Sequence, residues 1–183
     1  MRVRFISGLA AAVLVGACGG EATAVPAAAP SAAISTTSAT LEKSPDSGQV
    51  DRVGADDGAL RPDGVKDLSF VTRVEGPIAA IFLASVDEHG KPTGHYLADT
   101  LVGDQAGPQE LSARPGGTTS GIGVAEGEKM LNTKDGSLPA IGAGPHRLTL
   151  YVAESATLTP GTKLRVYLQR PDKSLVTSTT LTN

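Results

Sequence analysis

Three histidines, a single cysteine and a thin scatter of carboxylates are the side chains with which this 183-residue chain can do chemistry. His89, His95 and His146 fall neither in an H-x-x-x-H pair nor beside a C-x-x-C, the spacings that bring two ligands to one metal ion. His89 and His95 flank a predicted hairpin loop and can approach each other, but two solvated turn residues explain them as well, and no metal is expected. Asp87 and Glu88, with Asp99 on the following strand, offer oxygens of the kind found in calcium loops. Calcium takes about six to eight oxygens, and a turn with exposed acids is the simpler reading. The stretch Gly121-Ile122-Gly123-Val124-Ala125-Glu126-Gly127 fails as a dinucleotide loop, because Glu126 stands where a third glycine belongs and no βαβ unit surrounds it. Ser120 lacks the flanking spacing of a nucleophile elbow. No catalytic residue and no cofactor emerge, so an enzyme is not expected; a carboxylate-dependent hydrolase remains the remote alternative.

The cysteine has a different context. Arg2 and Arg4 precede an apolar run from Phe5 to Val15, and small residues lead into Cys18. That order of charge, apolar run and small residues is the layout of a secretion signal. Eleven residues are too few for a helix that must cross roughly 30 Å of hydrocarbon. Val15-Gly16-Ala17-Cys18 resembles the lipobox of bacterial lipoproteins. The resemblance implies that residues 1–17 are a signal peptide and that Cys18 becomes the acylated first residue of the mature chain. It also implies a lipid anchor in a bacterial cell envelope. Gly19, in place of an aspartate after the cysteine, looks like the pattern that permits transfer to an outer membrane. Two or three acyl chains hold far more firmly than one, at about 0.8 kcal/mol for each buried CH₂. With a single cysteine there is no intramolecular disulfide, so the folded part must be held by packing alone.

Residues 18–64 read as a lipidated cysteine followed by a disordered tether. From Gly19 to Gly48 all but seven residues are Ala, Gly, Pro, Ser or Thr, and no aromatic residue occurs between Phe5 and Phe70. Such a segment cannot bury enough apolar surface to offset chain entropy. Pro26 and Pro30 bracket the one alanine run that suggests helix. As a coil, residues 19–60 span about 35 Å. The acidity of the mature chain is concentrated there, with two basic and six acidic residues from 19 to 60 against twelve and thirteen from 61 to 183. A nearly neutral domain offers no broad basic footprint, which argues against nucleic-acid binding.

Residues 65–183 carry a period-two pattern. Leu68, Phe70 and Val74, then Leu148, Leu150 and Val152, then Leu164, Val166 and Leu168 alternate with polar residues, each set reading as a strand with one buried face. Ile78–Val86 is apolar on both faces apart from Ser85 and reads as a central strand. Further strands are expected at Tyr96–Val102, Gly121–Glu126, Lys129–Leu131 and Ser174–Leu181. Turn signals separate them: Asp87–Gly90, Glu126-Gly127, Asp135-Gly136, Pro160-Gly161 and Pro171-Asp172. The expected fold is all-β, a single antiparallel β-sandwich over residues 65–183. Gly144–Ser155 followed by Gly161–Ser174 is similar in style to the late strands of immunoglobulin-like or fibronectin-like bacterial surface modules, although the disulfide and core tryptophan of antibody domains are absent.

The surface of greatest interest is then the last hairpin. If Arg147–Ala153 pairs with Lys163–Gln169, Arg147, Tyr151, Arg165 and Tyr167 share one outward face, and tyrosine and arginine are frequent anchors of interfaces. Ordinary cross-strand neighbours on a wet sheet would look the same. Loops at Val102–Gly117 and Ala153–Thr162 are further candidates. The expectation is a non-catalytic binding or structural module, lipid-anchored in the envelope, whose partner is an envelope protein or a glycan. A carbohydrate-binding module is the alternative. With no Trp and few aromatics, its stacking platform is thin.

Overall fold

The computed structural model describes residues 39–49, 67–102, 107–108, 110–111, 120–153 and 158–183. Residues 1–17, expected to be a signal peptide, Cys18, most of the expected tether, most of the loop Val102–Gly117 and residues 154–157 lie outside the described residues. Ten strands occur in chain order: β1 (Thr40–Lys43), β2 (Asp67–Ile78), β3 (Ala80–Val86), β4 (Pro92–Asp99), β5 (Ser120–Glu126), β6 (Lys129–Met130), β7 (Ile141–Ala153), β8 (Lys163–Gln169), β9 (Leu175–Thr177) and β10 (Leu181–Thr182). The described residues contain no helix.

The strands form one curled sheet in the order β1-β2-β7-β5-β4-β3-β8-β10, with β6 beside β5 and β9 beside β8. The architecture is all-β, as the alternation predicts, and its form is a half-barrel. Antiparallel pairing throughout was expected and is corrected at β4–β5, where Ala98 and Asp99 run parallel to Ser120 and Gly121. The strands β1, β2, β7, β5 and β6 meet β4, β3, β8, β9 and β10 where Ser120 and Gly121 of β5 pair with Ala98 and Asp99 of β4. At the far ends of the path, a parallel bridge joins Ala39 to Ser178. Thr179 N–H donates to the Ala39 carbonyl, and Thr179 Oγ1 accepts the Leu41 N–H at 3.0 Å.

β1 lies inside the segment read as tether, which is a second correction. Four residues suffice because Leu41 enters the core and every position pairs with β2, from Thr40 opposite Arg73 to Lys43 opposite Phe70. The turn at Ser44–Gln49 continues the attachment, with Ser44 N–H on the Ser69 carbonyl and Gly48 N–H on the Asp67 carbonyl. Composition hides this strand, since one leucine between polar residues contributes little to an average.

Inside the curl, the alternating residues make one core. Leu68, Phe70, Ile81, Leu83, Val124, Leu148, Leu150, Leu164 and Val166 belong to it. Each such side chain, fully buried, contributes about 1.5–3 kcal/mol. The expected run Ile78–Val86 breaks at Ala79, whose N–H donates to the Gln169 carbonyl; Ile78 pairs with Ile141 on one wall and Ala80 with Gln169 on the other. From there β3 is central, flanked by β4 and β8. Its second face carries a smaller cluster in which Ala80, Phe82 and Ala84 meet Tyr96, Tyr167 and Leu111. β4 reaches both clusters because Leu97 is an extra residue between the pairs Leu83–Ala98 and Ala84–Tyr96. The extra residue breaks the period of two, so Tyr96 and Ala98, two positions apart, face opposite sides.

Candidate functional site

The β2–β7 pair is longer than its neighbours. β1 ends opposite Arg73, so the stretch from Val74 onwards has β7 on one edge and no β1 on the other. There the sheet forms an open depression of about 460 Å³, bordered by Thr40, Arg73, Glu75, Pro145, His146 and Arg147. The ladder places Arg73 directly opposite Arg147, and Glu75 opposite Pro145.

Two guanidiniums on opposed residues repel each other, at a cost of a few tenths to about 1 kcal/mol. Glu42 of β1 relieves one of them: its Oε1 accepts from Arg73 Nη1 at 3.0 Å, with both side chains about half exposed. Arg147 is exposed and has no ion pair among the described residues.

His146, opposite Val74, leaves the other face of β7 from Arg147 and is held fixed there. Nδ1 lies 3.0 Å from Glu126 Oε1 and Nε2 lies 3.0 Å from the Gly142 carbonyl oxygen. Both partners only accept, so satisfying both requires an N–H on each ring nitrogen, which is the imidazolium. The His146 pKa is accordingly raised above 6.5, chiefly by the Glu126 hydrogen bond, against desolvation and with help from the Gly142 carbonyl and the charges of Glu126 and Glu75. The carbonyl is in place because the ladder slips between the pairs Gly76–Gly144 and Ile78–Ile141. Gly76 permits this approach: a Cβ there would stand 2.1 Å from the Gly142 oxygen and 3.2 Å from His146 Cδ2.

No protein-family model matches this chain, and no curated protein or solved structure matches it either.

The four residues expected on one hairpin face are not brought together. β7 pairs with β2 and β5, whereas β8 pairs with β3, β9 and β10. The hairpin was read from proximity in sequence, and the segment joining the two strands is too long to impose pairing. Arg147 reaches the depression. Tyr151 is buried on β7 and Tyr167 is buried on β8, in the cluster with Phe82 and Tyr96. Arg165 is tied down on the other wall, its Nε donating to Thr180 Oγ1 and its Nη1 to the Gly90 carbonyl. Burial raises the Tyr167 pKa above 10.0, opposed by the charge of Arg165. All five aromatic side chains of residues 65–183 (Phe70, Phe82, Tyr96, Tyr151 and Tyr167) are buried, so none offers a face on which a sugar ring can stack.

The acidic residues of the calcium reading are also separated. Asp87 closes its own turn, Oδ1 accepting the His89 and Lys91 N–H groups at 2.9 Å each. The Lys91 hydrogen bond is the main cause of its lowered pKa. Asp99 pairs with Phe82, far along β4 from the turn at Val86–Pro92, and its carboxylate accepts the Leu101 N–H and bonds the Tyr96 hydroxyl. Among the described residues, no three His, Cys, Asp or Glu side chains gather where a metal ion could sit.

Sequence reasoning missed Arg73, Glu42, Glu126 and Gly76 as neighbours of Arg147 and His146. The outward parity of Arg73 is legible in the alternation of β2. Its partner across the strand is a matter of register between segments more than seventy residues apart.

Proposed function

We propose that this protein is a non-catalytic binding or structural module, held at a bacterial cell envelope by acylation of Cys18. The observation that carries the reading is the order of Arg2, Arg4, the apolar run Phe5–Val15 and the lone Cys18. Gly19 favours an outer-membrane destination. β1 supports a shorter tether than composition implies, since the sheet begins at Ala39. Residues 19–38, taken as coil, span about 25 Å, which still holds the domain clear of lipid headgroups. The depression beside Arg73 and Arg147 is open to the surface, as suits a module that docks onto a partner, and its charged rim favours an envelope protein or a charged glycan over a neutral sugar.

Intact mass of the chain from a bacterial membrane fraction, set against a Cys18→Ala variant, tests the proposal. The expected result is the mass of residues 18–183 plus acyl groups, lost in the variant. An unmodified chain, or one cut elsewhere, would remove the anchor and with it the envelope assignment.

A further inference from the structure

We propose that the depression at the outer end of the β2–β7 pair binds an oxyanion, a carboxylate or phosphate group held between Arg73 and Arg147. The inference rests on reading the domain as a binding module and names the chemistry of its ligand.

Opposed residues of an antiparallel pair have Cβ atoms about 4.5–5.5 Å apart, so Arg73 and Arg147 leave the same face as near neighbours. Each guanidinium presents a planar fork of N–H donors suited to two-oxygen acceptors. The contact with Glu42 engages only Nη1 of Arg73, leaving other donors of that fork for a ligand. Arg147 has no ion pair among the described residues. Glu75, the next outward position on β2, faces Pro145 and makes no ion pair with Arg147. An oxyanion placed between the forks would turn a repulsive pair into a bridged one. His146 does not compete for the ligand: it pairs with Val74, so its ring leaves the opposite face of β7 from Arg147, and both ring nitrogens are engaged by Glu126 and Gly142. Neighbouring strands fix both arginine backbones, so only the side chains must be ordered on binding.

The test uses the full chain carrying Cys18→Ala, ¹⁵N-labelled at pH 6, so that failure of the lipid anchor does not enter. Inorganic phosphate and glutarate are titrated separately, each against sodium chloride at matched ionic strength, while amide shifts are followed at Arg73, Glu75, His146 and Arg147. The expected result is a saturable change confined to these residues for at least one of the two probes. Stronger binding of phosphate points to a phosphorylated partner, and of glutarate to a carboxylated one. Arg147→Gln should weaken binding about tenfold or more, Arg147→Lys less, and Glu42→Gln should strengthen it. Shifts that follow ionic strength alone, or an unchanged titration in Arg147→Gln, would overturn the proposal.

Discussion

β3 and the outer end of the β2–β7 pair are held by opposite means. β3 is covered on both faces, with Ile81 and Leu83 in the inner core and Ala80, Phe82 and Ala84 in the outer cluster. Apolar area does the holding there, and the side-chain hydrogen bond of β3 joins Ser85 Oγ to Thr93 Oγ1 at 2.8 Å near its end. At the end of β2–β7, Gly76, Gly142, Gly144 and Pro145 provide little side chain to bury. The slipped ladder is secured by an imidazole that bonds a carbonyl across the slip and a carboxylate on the next strand. The first region is sensitive to volume, the second to charge and to single atoms. Selection for a stable fold explains β3. Facing arginines on an exposed pair serve stability poorly, and a ligand explains them better.

The comparison breaks most sharply at Phe82. The ring is fully buried and meets Tyr96 edge-on, with centroids 5.3 Å apart. Phe82→Ala is expected to cost about 3–5 kcal/mol in denaturant unfolding; a loss under 1 kcal/mol would mean that the outer cluster adds little.

Gly76→Ala attacks the other region with one carbon. Its Cβ would collide with the Gly142 oxygen, so an overpacking cost of about 1–3 kcal/mol is expected. The His146 ring signals should shift in NMR spectra as the carbonyl is displaced. A silent substitution would show that the slip is loosely held.

Thr72 sharpens the contrast from within the core. Its hydroxyl oxygen is buried without a hydrogen-bond partner, on the wall where apolar packing should be sufficient. Thr72→Val is expected to raise stability by about 1 kcal/mol, read as a higher denaturation midpoint at unchanged slope.

The smallest effect is one of pH. A folded His146 pKa raised above 6.5 means that the native state holds its proton more tightly than the unfolded chain. The stabilisation from Glu126 and Gly142 is then complete below pH 6.5 and is lost as pH rises through the raised pKa. The stability difference between the protein and His146→Gln should shrink over that window. A difference independent of pH from 5 to 9 would mean that the ring is not protonated in the fold.

Much of the strand pattern was legible because period-two alternation needs no knowledge of neighbours. β2, β7 and β8 lie where leucine, valine and phenylalanine alternate with polar residues, and the turns at Gly90, Gly127, Gly136 and Gly161 take positive φ as their dipeptides predict. Asn132 shows what such reading misses. Its side-chain amide acts as a peptide beside β5, Oδ1 accepting the Val124 N–H at 2.6 Å while Nδ2 donates to the Ile122 carbonyl at 3.1 Å and the Gly136 carbonyl at 3.0 Å. In the sequence it is only a polar residue after β6. The candidate site was legible at Arg147 alone, since Tyr151, Arg165 and Tyr167 were grouped by a pairing that does not form.

Sequence by itself determined that the described residues are all-β, where the alternating segments of β2, β7 and β8 and the glycine turns fall, and that β3 is covered on both sides, because these follow from local periodicity and the φ preferences of turn residues. It did not determine that β7 begins at Ile141 or that β4 spans Pro92–Asp99. Tertiary structure alone decided that β7 joins β2 and β5 instead of β8, that β4 and β5 run parallel, and that Arg73 stands opposite Arg147. Each of these is a long-range choice among strands of similar apolar pattern. The shape of the whole core selects among them, where no single segment carries enough difference in energy to do so.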